Sequence, residues 1–121
     1  EPIQLYGDGT QSRDFTFVDD IAAGVVAALR PVGFEIVNLG GGQGPVSVQT
    51  LIENLERLLD RRARVELRSR HAADVTATWA DIGKAQSLLA WQPSTSLASG
   101  LRQTVDWYRG HRSLATSLQL D

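Results

Sequence analysis

The segment Ile36–Ser47, "IVNLGGGQGPVS", constrains this chain more than any other. A β-branched apolar run, "FEIVNL", ends in a glycine cluster, and the amphipathic stretch "VSVQTLIENLERLLD" follows. Strand, glycine turn and helix N-terminus in this order are what a dinucleotide-binding βα unit requires. The registers do not complete it. Counting G-x-G-x-x-G from Gly40 and Gly42 places Pro45 third, and counting from Gly42 and Gly44 places Ser47 third. The wider spacing through Gly41 and Gly44 also ends at Ser47. About twenty residues on, where a ribose-binding acid belongs, the helix ends in an arginine run. The segment therefore reads as a turn followed by a Ser-capped helix.

The rest of the chain alternates short strands with helices, which indicates an α/β layer arrangement. "PIQLYG" reads as a strand closed by the turn formers of "GDGTQSRD", and Asp19 or Asp20 as the cap of the helix "IAAGVVAALR". "FEIVNL" reads as a strand buried on both faces. Ser47 caps the longest helix, with Leu51, Ile52, Leu55, Leu58 and Leu59 as its core stripe. "ARVELRS" alternates as a strand, and Asp81 caps "IGKAQSLLA". A last helix from Leu97 to Tyr108 carries Leu101, Val105 and Tyr108 on one face, and Trp91, Trp107 and Leu101 read as core. Residues 113–121 read as a flexible tail.

The 121 residues suit one domain, and the formal charge of −2 offers no basic excess for nucleic acid. No cysteine is present, so disulfides and thiolate metal sites are excluded, and the two histidines stand far apart. No stretch has the length and apolarity of a membrane span. A soluble, cytoplasmic chain is expected. It starts at Glu1 directly in strand-like sequence, which reads as a piece of something larger. The Tyr-x-x-x-Lys pair of short-chain dehydrogenases is absent: Lys84 follows Ala80 at that spacing, while Tyr6 and Tyr108 precede Thr10 and Arg112.

Three segments in order carry a more specific signal: "PIQLYGDGTQSRDFTFVDDIAAGV", "VNLGGGQGPVSV" and "DVTATWADIGKAQSLLAWQPSTSLASGLRQTVDWY". Together they resemble the C-terminal portion of extended short-chain dehydrogenases of the NAD-dependent epimerase/dehydratase family. The likeness is greatest to its UDP-glucuronate 4-epimerase group and runs to Tyr108. It implies an α/β fold that is the C-terminal, substrate-binding part (residues 1–112) of an extended Rossmann-type epimerase. The glycine loop for NAD and the catalytic pair would then belong to an N-terminal half outside this chain. NAD is implied for the intact parent, and none is expected to bind this piece alone. The implied partners are a nucleotide sugar, in particular a UDP-sugar, the N-terminal Rossmann half, and a second copy in a homo-oligomer; neither nucleic acid nor membrane is expected.

The resemblance also implies site residues. Arg13 matches the arginine that contacts the substrate diphosphate, for which a planar guanidinium is suited. Read from the residues alone, Arg13 pairs with Asp14 or Asp19. Gln4 and Tyr6 match the strand lining the uracil pocket, although Tyr6 also fits as a half-buried strand aromatic. Val48 matches an apolar position near the nucleoside and could equally open the core stripe of its helix. Asp74 matches the aspartate that contacts the ribose, and by itself reads as a turn or capping residue. His71 occupies an arginine or glutamine position, and Ala72, Ala73 and Ala90 stand where the pattern has Pro, Gly and Gly. The function implied is substrate binding without catalysis. A stand-alone binding or regulatory module, or a remnant that binds nothing, are the alternatives.

Overall fold

The computed structural model describes residues 2–31, 33–70 and 73–117. Two small sheets carry the strands. In the first, β1 (Ile3–Tyr6) pairs in parallel with β4 (Val65–Arg68), Ile3 opposite Val65 and Tyr6 opposite Arg68. In the second, β2 (Ser12–Arg13) lies between β3 (Val46–Ser47), antiparallel, and β5 (Ala77–Thr78), parallel. The helices are α1 (Val18–Ala27), α2 (Val48–Leu59), α3 (Gly83–Leu89), α4 (Leu97–Gly110) and α5 (Arg112–Ser117). The expected α/β arrangement is present. The stretch read as a tail begins with α5, and residues 118–121 lie outside those described.

The core is small. Ala85, Leu89 and Trp91 form its centre, with Ala27, Val37, Leu39, Ile82 and Leu88 packed against them. Trp91 is core as expected, and Leu101 is half-buried. Trp107 is not core: it lies 49% exposed, stacked on His111 with ring centroids 5.0 Å apart. The α2 stripe is half-buried at Leu51, Ile52, Leu55 and Leu58, while Leu59 is exposed. Ser47 caps α2 as its sequence indicates, its hydroxyl accepting from Thr50 N at 3.0 Å. At α1 the cap position falls on Phe17, which contributes no side-chain bond, and Asp19 and Asp20 lie inside the first turn. There they face the positive end of the helix dipole. Asp81 serves α3, accepting from Gly83 N at 2.9 Å.

"FEIVNL" is not a strand. Among the described residues Phe34–Leu39 pairs with no strand, and its two sides have different fates. Val37 and Leu39 turn onto the Trp91 cluster, whereas Phe34 and Ile36 stand 93% and 75% exposed. Strand propensity without a ladder partner leaves extended backbone unpaired, so composition alone does not make a strand. The total accessible surface is 8947 Å², against about 6,400 Å² expected for a compact monomer of this mass. Large apolar side chains stand exposed on α1 (Val18, Val25, Val26), at Leu29, and at Phe34 and Ile36.

Candidate functional site

The end of β1, the turn after it and β2 help to line an open concavity. Strand alternation sends Gln4 and Tyr6 to one face and buries Leu5 on the other. Gly7 and Gly9, both at φ 83°, reverse the chain in a conformation that side-chain-bearing residues resist. Asp8 Oδ1 locks the turn by accepting from Thr10 N at 3.0 Å and from Thr10 Oγ1 at 2.6 Å. The Thr10 hydroxyl is the main cause that holds the Asp8 carboxyl below its ordinary pKa. Gln11 Nε2 donates to Tyr6 O at 2.8 Å and closes the reversal. The chain then enters β2, which ends on Arg13.

Gln4, Tyr6, Arg13, Val48 and Asp74 line a single open concavity of about 650 Å³, together with Leu5, Gln11 and Ala73. Five of the six residues implied by the resemblance therefore meet in space; the sixth, His71, lies outside the described residues. Gln11 was not expected there, and its signal was modest: a polar residue at the far side of a glycine turn. Arg13 pairs with neither Asp14 nor Asp19. Its Nη2 donates to Asp74 Oδ1, and its Nη1 donates to the carbonyls of Ser12 at 2.8 Å and Val75 at 3.0 Å. Arg70 Nη2 donates to Asp74 O at 3.2 Å. The concavity thus joins an apolar and amide-bearing wall (Gln4, Tyr6, Val48) to the Arg13–Asp74 ion pair.

The glycine cluster does different work. Gly40 and Gly41 are buried, and a Cβ at either would overlap Ala80 or the Asp14 carboxylate. Asp14 Oδ2 accepts from Ala80 N at 3.1 Å and from Gly42 N at 3.4 Å, so this residue pins the turn to the following segment. The N-terminus of α2 is also spoken for. Val48 N donates to Gln11 O and Gln49 N to Gly9 O, both at 3.0 Å, and Thr50 N is taken by Ser47 Oγ. A pyrophosphate site needs free N–H groups at a helix start. The residues at this turn do not fit NAD. Among the described residues no group of three or more His, Asp and Glu lies together as a metal site, and no helix is long and apolar enough to cross a membrane.

A model of the NAD dependent epimerase/dehydratase family matches residues 1–40. The UDP-glucuronate 4-epimerase of Thermodesulfobacterium geofontis is 50% identical over 120 residues, covering 99% of this chain and 37% of that protein. The solved structure of MoeE5 in complex with UDP-glucuronic acid and NAD superposes with a TM-score of 0.85 at 36% identity, over 93% of this chain and 38% of that one. The chain belongs to the NAD-dependent epimerase/dehydratase family. The UDP-glucuronic acid 4-epimerase from Bacillus cereus, in complex with UDP-glucuronic acid and NAD, gives a TM-score of 0.82 at 36% identity over 91% of this chain and 36% of that one.

As a family member the chain is a partial match, spanning a little over a third of the length of these relatives. The likeness to the UDP-glucuronate 4-epimerase group extends across almost all of it. The three alanines that stand at expected Pro and Gly positions have different settings. Ala73 lines the concavity, Ala72 lies outside the described residues, and Ala90 sits at φ 53°, the left-handed region that explains a glycine in the pattern.

Proposed function

We propose that this chain is the C-terminal, nucleotide-sugar-binding part of an NAD-dependent epimerase/dehydratase, in which it holds a UDP-sugar and does not itself carry out the reaction. The observation that carries the reading is the convergence of Gln4, Tyr6, Arg13, Val48 and Asp74 on one concavity. Gln4, Tyr6 and Val48 receive the nucleoside, the amide by hydrogen bonding and the other two by apolar contact. Arg13 faces the diphosphate, where a charge-assisted contact gives both affinity and orientation. The relatives whose structures hold a UDP-sugar with NAD support a UDP-sugar as the ligand.

In this reading NAD belongs to the remainder of the parent protein, and it supplies hydride removal and return. The residues of this chain bind the nucleotide and fix its position relative to that chemistry. The described residues hold no Tyr–Lys pair at the required spacing, which is consistent with a binding role. The test is calorimetric titration with UDP. Arg13→Ala should lose on the order of 2–4 kcal/mol of UDP binding. Arg13→Lys should recover part of it, because a point charge does not reproduce the guanidinium fork. UDP binding unchanged by Arg13→Ala would remove Arg13 from the site.

A further inference from the structure

We propose that Asp74 is a positioning residue, holding the Arg13 guanidinium in the mouth of the concavity through their ion pair. This rests on the nucleotide-sugar reading above and changes the part Asp74 plays in it. The pattern matched in sequence gives Asp74 to the ribose. In the structure its Oδ1 is engaged by Arg13 Nη2 across 61 positions of sequence. Arg13 Nη1 likewise donates to two protein acceptors, the carbonyls of Ser12 and Val75. A guanidinium carries five N–H donors. Among the described residues three such bonds fix its plane, and the remaining donors serve a ligand oxyanion.

The anchors come from separate parts of the chain. Ser12 is on β2 itself, whereas Asp74 and Val75 lie in the segment that Thr76 joins to β5, which pairs with β2 at Ser12–Ala77 and Arg13–Thr78. The backbone ladder and the side-chain anchors therefore lock the same register. Arg70 Nη2 holds the Asp74 carbonyl at 3.2 Å and fixes the loop from its other side. Arg13 is only partly exposed, with 31% of its side chain accessible, and Asp74 with 23%. An arginine so held loses less rotamer freedom when a ligand arrives.

The test combines ligands with a double-mutant cycle, read by NMR titration of the full chain with UDP, uridine and inorganic pyrophosphate. Asp74→Ala is expected to weaken UDP and pyrophosphate about tenfold, the scale of one charge-assisted hydrogen bond, and to leave uridine unchanged. In Arg13→Ala, the further change Asp74→Ala should add nothing, because the residue it positions is gone. Equal weakening of uridine and UDP, or losses that multiply in the double variant, would assign Asp74 to the ribose and overturn the proposal. Tighter UDP binding by Asp74→Ala would overturn it too, making the carboxylate a competitor for the fork. Rotation about the Arg13 Nε–Cζ bond, followed through its side-chain nitrogens without ligand, separates this proposal from the nucleotide-sugar reading. Slow rotation that becomes fast in Asp74→Ala supports positioning even if the wild-type chain takes no UDP, whereas unchanged rotation refutes it.

Discussion

The Trp91 indole N–H donates to the main-chain carbonyl of Asp20 at 2.9 Å, joining the first turn of α1 to the segment after α3. The Asp20 carboxylate completes the junction, accepting from Ser94 N at 3.2 Å, Ser94 Oγ at 3.0 Å and Thr95 N at 3.0 Å. Burial pushes this carboxyl up, but the hydrogen bonds from Ser94 and Thr95 outweigh it and hold the group below its ordinary pKa. Asp20→Ala leaves those donors without their acceptor and should cost about 2–3 kcal/mol. Because the folded carboxyl binds its proton less readily than the unfolded one, its contribution is complete above the unfolded value and lost as pH falls through the folded one. Urea melts from pH 7 down to pH 2 should therefore fall more steeply for the native chain than for Asp20→Asn. Parallel curves would show that Asp20 contributes nothing to acid sensitivity.

Ala90 ends α3 at φ 53° and ψ 35°, with the Trp91 amide returning to Ala85 O at 3.2 Å. A left-handed Cβ costs roughly 1–2 kcal/mol, and glycine gives back about 0.4–1 kcal/mol through the freer unfolded chain. Ala90→Gly should stabilise by about 0.5–1 kcal/mol. A lower melting temperature would contradict this account of the α3 terminus.

The bare apolar residues of α1 and the 34–36 stretch predict self-association of the isolated chain. Sedimentation should show concentration-dependent species and a hydrophobic dye should bind. Leu29→Glu combined with Phe34→Glu should suppress both with little change in melting temperature, since both side chains are already exposed. A monomeric, dye-silent native chain at high concentration would contradict the prediction.

NAD should not bind this chain with useful affinity. The amides of Val48, Gln49 and Thr50 are all engaged, and Asp14 occupies the space beside Gly41. Calorimetry giving a dissociation constant in the micromolar range or tighter would refute this.

Local signals carried most of the elements. An apolar run closed by turn formers located β1, alternation located β4, and the Ser47 hydroxyl marked the start of α2, because each is decided within a few residues. "FEIVNL" misled because a strand is made by its neighbours, and among the described residues no strand pairs with it. Trp107 misled in the same way: an aromatic on a helix is core only if something packs on it, and here His111 does so at the surface. The resemblance carried by three motifs in order named candidate residues, five of which line one concavity. Their geometry was not legible, since nothing in local sequence couples Arg13 to Asp74 or Asp14 to the amides of Gly42 and Ala80. Those are contacts between distant segments, set by the β2–β5 register.

The most direct test of the central claim is a map of backbone amide shifts in the full chain on adding UDP. The account predicts that the largest changes fall at Gln4, Tyr6, Arg13 and Val48, with α3 and α4 unmoved, and that Arg13→Ala abolishes the pattern at the same UDP concentration. No shifts, or shifts confined to the arginine-rich end of α2, would contradict it.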